Sequence, residues 1–383
     1  MTAMMLRKFL IPEMIYGPDA HQLAGQYARR FGLTTVLLVS DPGVEQAGWT
    51  GKVAEQLAAA DVTAIPFTGV TPNPKDHEVM AGVTRYRESG CDGIVAVGGG
   101  SPMDCAKGIG IVCSNRGHIL DYEGVDQVPM AMPPLICIPT TAGSAADISQ
   151  FAIITDTAGL KKIAIVSKSV VPDLALIDPL LTTTMTTELT ACTGMDALVH
   201  AIEAYVSNAS SPFTDLHALQ AVRLITRHLP QAIADPRSQE GRNGMMLAST
   251  LAGMAFSNAS LGAVHAMAHS LGGLLDSPHG ECNAQLLEHV IGYNYAAAAP
   301  RYREVAAAMG IACPADAVSC NALIEGIRRL RLSVGITGTL ATQGIRRDQL
   351  APLAEKAMQD ACMVTNPRRP TCREIEAIYA SAL

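Results

Sequence analysis

Charge is scarce in this chain. Of its 383 residues only 16% are charged, while 49% are hydrophobic. Basic runs are absent and the formal net charge is −7, so the positive footprint that draws a protein to nucleic acid is missing. Paired cysteines are missing as well. The ten cysteines are scattered without a Cys-x-x-Cys pair, which argues against a disulfide framework and for reduced thiols in a cytoplasm. The opening "MTAMMLRKFLIPE" holds no apolar run long enough for a secretory signal, and the expected location is cytoplasmic. Internal repeats and low-complexity tracts are lacking. What remains is a chain too long for one ordinary core. Its apolar composition fits a large interior and subunit contacts, hence a homo-oligomer.

The longest charge-free stretch, 243–275, has no Asp, Glu, Lys or Arg. By length it could span a bilayer. It is broken by histidines, asparagines, serines and glycines, so the expectation is a buried helix pair and no membrane partner.

The first half alternates β-branched runs with amphipathic segments. "TTVLLVSD" (34–41), "TAIPF", "DGIVAVGGG" (92–100) and "PLICIPTT" (134–141) read as strands, separated by helical "GWTGKVAEQLAAAD", "PKDHEVMAGVTRYRESG" and "SPMDCAKGIGIVCS". That alternation predicts a parallel sheet with helices on its faces. "FAIITD" and "LKKIAIVS" predict a later antiparallel pair, and "DLALIDP" closes the region. From about residue 186 the pattern is helical with period near 3.6, broken at "DPRSQEG", "DSPHG", "AAAAP" and "TNPRRP". The expected architecture is an N-terminal α/β nucleotide-binding domain (1–185) with a Rossmann-like parallel sheet, then an all-α domain (186–383).

"AVGGGSPMDCAK" places Gly98, Gly99 and Gly100 between a strand and a helix. Glycines there let the backbone approach a phosphate, and the helix N-terminus offers free N–H groups to an anion. Ser101 is the expected N-cap, Pro102 the first helical residue and Asp104 the partner in a capping-box-like pattern. Such a turn alone is as often plain connection as phosphate site. Asp41, at the end of "LLVSD", can bind ribose hydroxyls, and "IPTTAGS" ends another strand at the same edge.

In "TGMDALVHAIEAY", Asp196 and His200 are four residues apart, on one helix face. "GAVHAMAHSLGGLLDSPHG" repeats the spacing with His265 and His269, and adds His279 on an expected turn. One carboxylate with imidazoles from different helices suits Fe²⁺, Zn²⁺ or Mn²⁺. Singly, each histidine reads as a satisfied core residue; burying them all without a cation would cost several kcal/mol. Spacing leaves open which three of the four histidines bind. Cys282 is read as a core thiol.

"GGGSPMDCAK", "PTTAGS", "GMDALVHAIEAY" and "VHAMAHSLGG…SPHGECNA" resemble the iron-containing (group III) alcohol dehydrogenases, near the 1,3-propanediol, ethanol and lactaldehyde oxidoreductases. The resemblance runs from "IYGPDA" to "TNPRRP". It implies a dehydroquinate synthase-like two-domain architecture and NAD-linked hydride transfer on a small primary alcohol, diol or aldehyde. The implied metal is Fe²⁺, with Zn²⁺ an alternative, on Asp196, His200, His265 and His279. His269 is then left as the catalytic group beside the nicotinamide. For NAD it implies Asp41, Asn73, Gly99, Gly100, Ser101, Thr140, Thr141, Ser149, Phe151, Lys162 and Leu181. Three positions depart from the family pattern: Asp147 stands for a glutamate, Glu288 for a proline in "LPHV", and Thr186 for the proline of "MP". Two rivals are a metal- and NAD-dependent lyase of the dehydroquinate synthase type and a non-catalytic metal-binding protein. The first needs basic residues for a phosphorylated substrate, and residues 190–290 offer only Arg223, Arg227, Arg237 and Arg242, outside the motifs. The second leaves the glycine loop unexplained.

Overall fold

The computed structural model describes residues 8–311 and 319–383. Among the described residues nine strands form, in chain order β1 (Glu13–Tyr16), β2 (Thr35–Val39), β3 (Thr63–Phe67), β4 (Gly93–Gly98), β5 (Gly124–Val125), β6 (Leu135–Pro139), β7 (Phe151–Asp156), β8 (Lys161–Val166) and β9 (Leu174–Ile177). Six of them make one all-parallel sheet ordered β1-β9-β6-β4-β2-β3. The remaining three form a small sheet in which β7 and β8 are the expected antiparallel pair. The short edge strand β1 carries no signal in the sequence strong enough to have been read as a strand.

Helices cover both faces of the large sheet: α1 (Ala24–Arg30), α2 (Pro42–Gln46), α3 (Trp49–Ala59), α4 (Asp76–Glu88) and α5 (Gly100–Asn115). Val36 and Leu38 of β2 pack with Val95 and Val97 of β4 toward Val53 and Leu57 of α3. Leu37, Val39, Ile94 and Ala96 pack instead toward Val79 of α4 and Ile109 of α5. Alternate residues of each strand therefore feed opposite cores, and a central strand such as β4 is buried along its whole length. The chain goes from β2 outward to β3, then returns past β2 to β4. That reversal opens a crevice at the carboxyl ends of β2 and β4, where ligands of such sheets collect.

The rest is helical: α6 (Thr187–Val206), α7 (Pro212–Ala234), α8 (Gln239–Ala259), α9 (Ala263–Leu275), α10 (His279–Ala308), α11 (Cys320–Ser333), α12 (Leu350–Gln359) and α13 (Cys372–Ser381). Thr186, the residue that replaces a family proline, caps α6 by accepting from the Leu189 N–H. The charge-free stretch is mostly α8 and α9. Among the described residues no single helix is long and apolar enough to cross a membrane, and α8 and α9 bend by 99° at their break. The expected break at "AAAAP" is found as a kink within α10. Ala298 leaves helical geometry there (φ −135°, ψ 30°), so α10 is two helical segments meeting at the kink, beside Pro300, which lacks the N–H to continue the ladder. Glu288 is buried and paired with Arg331 at 3.1 Å and Arg328 at 2.9 Å. The nine described cysteines are all free, and Cys313 lies outside the described residues.

Candidate active site

The glycine loop follows β4 directly into α5. The helix starts at Gly100 with Gly99 as its cap and no side-chain capping bond, so Ser101 is not the N-cap and Asp104 closes no capping box. The reason is spatial. Asp104 is half-buried and its desolvation pushes its carboxyl up to about 6, and the Ser101 hydroxyl accepts from the Asn73 N–H at 3.2 Å. The loop is crowded from outside: a Cβ on Gly99 would lie 3.1 Å from Thr141, and one on Gly100 3.1 Å from Ser144. Side chains would fill the space through which a phosphate reaches the α5 N-terminus.

Asp41 caps α2, with Oδ1 accepting from the Val44 N–H at 3.0 Å. It is thus a turn residue, yet its other oxygen faces the loop, 3.3 Å from where a Cβ on Gly98 would sit. Burial raises its pKa. Thr140 donates its N–H to the Gly98 carbonyl at 2.9 Å, tying the loop after β6 to the glycines. Lys162, on β8, donates to Asn73 Oδ1 at 2.7 Å. The Asn73 amide in turn donates to Asp276 Oδ1 at 2.6 Å, across the break between α9 and α10. Asp41, Asn73, Gly99, Gly100, Ser101, Thr140, Thr141 and Lys162 therefore line one region. The side chains of Ser149, Phe151 and Leu181 are committed to the interior. Lys107, fully buried, donates to the Ser149 and Phe151 carbonyls at 2.9 and 2.7 Å, and Leu181 is packed in the core between the sheet and α3.

The second cluster lies where the loop after β6 meets α6; there His200 Nδ1 is 3.3 Å from the Gly143 carbonyl. On α6, Asp196 and His200 share a face, as their spacing predicts. Asp196 Oδ1 is 4.0 Å from His200 Nε2, 3.6 Å from His265 Nε2 and 3.8 Å from His279 Nε2. His279 is the first residue of α10, not part of a free turn, because Pro278 stops α9's continuation and caps the next helix. Phe256 of α8 stacks on the His200 ring at 4.3 Å.

Three buried residues of the cluster lie outside the sequence-read set. Glu203, one turn after His200, bonds His265 Nδ1 at 2.7 Å and also accepts from the Gly262 and Val264 N–H groups at 3.0 and 2.7 Å. A carboxylate only accepts, so Nδ1 carries a hydrogen toward Glu203 and Nε2 is the ring atom directed at Asp196. Asn283, one turn after His279, places its amide nitrogen 2.6 Å from Asp196 Oδ1 and 3.1 Å from both His265 Nε2 and His279 Nε2. Asp360 bonds His269 Nδ1 at 2.7 Å. Glu203 had a signal, a lone charge in the apolar run "HAIEAY"; Asn283 lies in the quoted motif without a distinctive spacing. Asp360 had none, standing 91 residues from its partner.

Burial and the neighbouring charges act against each other here. Burial works to raise the Asp196 pKa, but the imidazoles of His200, His279 and His265 hold it well below the usual carboxylate range. Burial pushes His200 down to about 4 and His279 well below its ordinary value, so both are neutral at pH 7 and offer lone pairs. His265 is driven down by burial, but its bonds to Asp196 and Glu203 bring it up to about 9. Burial also holds the Cys282 thiol up at about 12, which suits a core thiol rather than a thiolate ligand.

The donor set fits a divalent cation, and the polar groups packed around it are not all satisfied by one another. The two hydrogens of the Asn283 amide face three acceptors, and Asn283 Oδ1 and His279 Nδ1 are buried without partners. Each such orphan costs about 1–3 kcal/mol. A cation among one carboxylate and three imidazoles supplies the positive charge that the amide supplies only in part.

Residues 12–179 match the family described as iron-containing alcohol dehydrogenase, and residues 190–383 the Fe-containing alcohol dehydrogenase family, C-terminal. The chain is 41% identical over 379 residues to the 1,3-propanediol dehydrogenase of Klebsiella pneumoniae, covering 98% of each. This chain belongs to the iron-containing alcohol dehydrogenase family. It is also 35% identical over 377 residues to the NAD-dependent methanol dehydrogenase of Bacillus methanolicus, covering 98% of this chain and 99% of that one. A crystal structure of a 1,3-propanediol oxidoreductase superposes with a TM-score of 0.94 at 40% identity, covering 99% of this chain and 100% of the other. The two-part architecture is thus that of the iron-containing dehydrogenases. The chain is an oxidoreductase, an NAD-linked and metal-dependent alcohol dehydrogenase, and the lyase and non-catalytic readings are set aside.

Proposed function

We propose that this iron-containing alcohol dehydrogenase interconverts a small primary alcohol or diol with its aldehyde, with Asp196, His200, His265 and His279 holding the metal and His269 beside the nicotinamide. The observation that carries the reading is the convergence of three imidazole Nε2 atoms within 4.0 Å of Asp196 Oδ1. When bound, the metal supplies Lewis acidity to the alcohol oxygen and NAD supplies the hydride acceptor. The protein's part is position and charge. Glu203 fixes the face that His265 presents. Gly99, Gly100 and Ser101 receive the pyrophosphate at the α5 N-terminus, and Asp41 meets the adenosine ribose, where it repels a 2′-phosphate. Thr140 and Thr141 flank that loop, and Asn73 and Lys162 close it against Asp276. Ser149, Phe151 and Leu181 support the cofactor from beneath. His269 takes part in moving the alcohol proton.

The division of labour follows the chain, with residues 1–185 serving the cofactor and 186–383 the metal. The named activities of the 1,3-propanediol and methanol relatives support a short substrate. Assembly into a homo-oligomer belongs to the same reading; it is supported by the edge position of β1 and the exposed Phe9, Phe213 and Leu216. Free cysteines support a reducing cytoplasm. The test is a panel of short alcohols and aldehydes with NAD and NADP on protein loaded anaerobically with Fe²⁺. Net NADH formation from a primary alcohol is expected; its absence across the panel would overturn the reading.

A further inference from the structure

Two histidines of α9 are held by buried carboxylates from elsewhere in the chain, and only one of the two pairs faces the metal cluster. His265 is bonded to Glu203 of α6. His269, one turn later, is bonded through Nδ1 to Asp360 Oδ2 at 2.7 Å, and the two side chains are only 5% and 8% exposed. The other Asp360 oxygen, Oδ1, accepts from the Cys362 N–H at 2.8 Å and caps the short turn 361–365. Both oxygens are therefore engaged. Asp360 itself sits in the wall of a cavity that His269 shares with Lys161, Lys162, Ser270 and Lys356.

We infer that Asp360 is a positioning residue for the dehydrogenase reaction, acting through His269. A carboxylate only accepts hydrogen bonds, so Nδ1 of His269 carries a hydrogen and Nε2 carries the lone pair. With Nδ1 anchored, the ring cannot flip. It lies stacked on His279, with centroids 5.2 Å apart and planes 14° apart, and Nε2 points away from Asp360. A proton leaving the substrate oxygen needs an acceptor of that tautomer and orientation. An amide at 360 can present its NH2 to Nδ1, which favours the opposite tautomer and leaves Nε2 protonated and unable to accept.

This inference rests on His269 acting beside the nicotinamide, and the experiment separates the two. Asp360→Asn, His269→Ala and the double variant are compared with wild type in full-length, Fe²⁺-loaded protein, by steady-state kinetics and by iron content. The expected result is a loss in kcat of about tenfold or somewhat more for each single variant, below the about 10²–10⁴-fold of a full general acid–base contribution because solvent replaces part of the relay. KM for the alcohol stays within about threefold and iron stays near wild type. The double variant falls no further than His269→Ala alone, because residues that act as a unit are not additive. Asp360→Ser carries the same test if the asparagine variant does not fold, since serine also caps a helical turn. If His269→Ala leaves kcat unchanged, the His269 reading fails and the inference with it. If His269→Ala lowers kcat but the Asp360 variant matches wild type, or if the two losses multiply in the double variant, the role of Asp360 alone is overturned.

Discussion

The glycine loop after β4 and the imidazole cluster among α6, α9 and α10 are made of different materials. The loop works through backbone N–H groups and the absence of side chains, and the polar groups around it already satisfy one another. Asp41 caps α2, Thr140 bonds Gly98, and Lys162, Asn73 and Asp276 form a chain of contacts. The cluster works through side chains brought from three helices, and it leaves Asn283 Oδ1 and His279 Nδ1 buried without partners. A site whose groups are mutually satisfied can release its ligand and stay folded. A site where a buried carboxylate and three imidazole Nε2 atoms converge on one point is completed by a cation, so binding there is also folding free energy. The difference is what the proposed function requires, with an exchangeable NAD at the first region and a resident metal at the second.

Metal removal is the most forceful way to break that contrast. Chelation is expected to abolish turnover and to lower Tm by about 5 °C or more, while removing NAD from the loaded protein shifts Tm much less, as expected when ligand stabilisation follows affinity. Calorimetry with and without each ligand checks it, and equal shifts would erase the distinction. Glu203→Ala comes next. It removes the partner of His265 Nδ1 and the acceptor for the first N–H groups of α9, so metal affinity should fall about 10–100-fold. A competition titration against a chelator of known affinity measures this; unchanged affinity would make Glu203 a cap and nothing more.

On the cofactor side, Asp41→Gly should narrow the preference for NAD mainly by lowering KM for NADP, about tenfold, because a carboxylate repels the 2′-phosphate. Kinetics with both cofactors decide it, and equal use of both by the wild type would reduce Asp41 to its capping role. The smallest effect concerns pH in the metal-free protein. Burial lowers the His200 pKa from 6.5 to about 4, so the unfolded chain takes a proton that the fold refuses, and stability is lost as pH falls from 6.5 toward 4. His265 is raised from 6.5 to about 9, so its contribution is full below 6.5 and is lost as pH rises through 9. Tm of the metal-free protein should therefore peak near pH 6.5 by a few degrees, about 2–4 °C, and flatten on metal binding. A maximum far from that pH would contradict the environments assigned to these two rings.

Legibility in the sequence follows the same division. Strand and helix order in the first half was readable because each strand is short, apolar and bounded by turn residues, and the glycine loop is a contiguous motif. The i,i+4 pairs Asp196–His200 and His265–His269 were readable because helix geometry fixes which residues share a face. The capping role given to Ser101 was misplaced, since local pattern does not reveal that Asp104 is partly desolvated and that the Ser101 hydroxyl is engaged by Asn73. The break at "AAAAP" was readable because a proline has no N–H to continue the helical ladder, and Ala298 leaves helical geometry there. Asp360 was invisible because nothing local links residue 360 to residue 269; only the packing of the 360–365 turn against α9 joins them.

Spacing alone left four histidines for three places beside Asp196, and the structure turns His269 toward Asp360 while the other three face Asp196 Oδ1. The account therefore stands on a difference between two residues one helical turn apart. Elemental analysis of His265→Ala and His269→Ala, purified side by side after the same Fe²⁺ loading, tests it most directly. The account predicts near-stoichiometric iron in His269→Ala and almost none in His265→Ala. Comparable loss of iron from both would make His269 a ligand and contradict it.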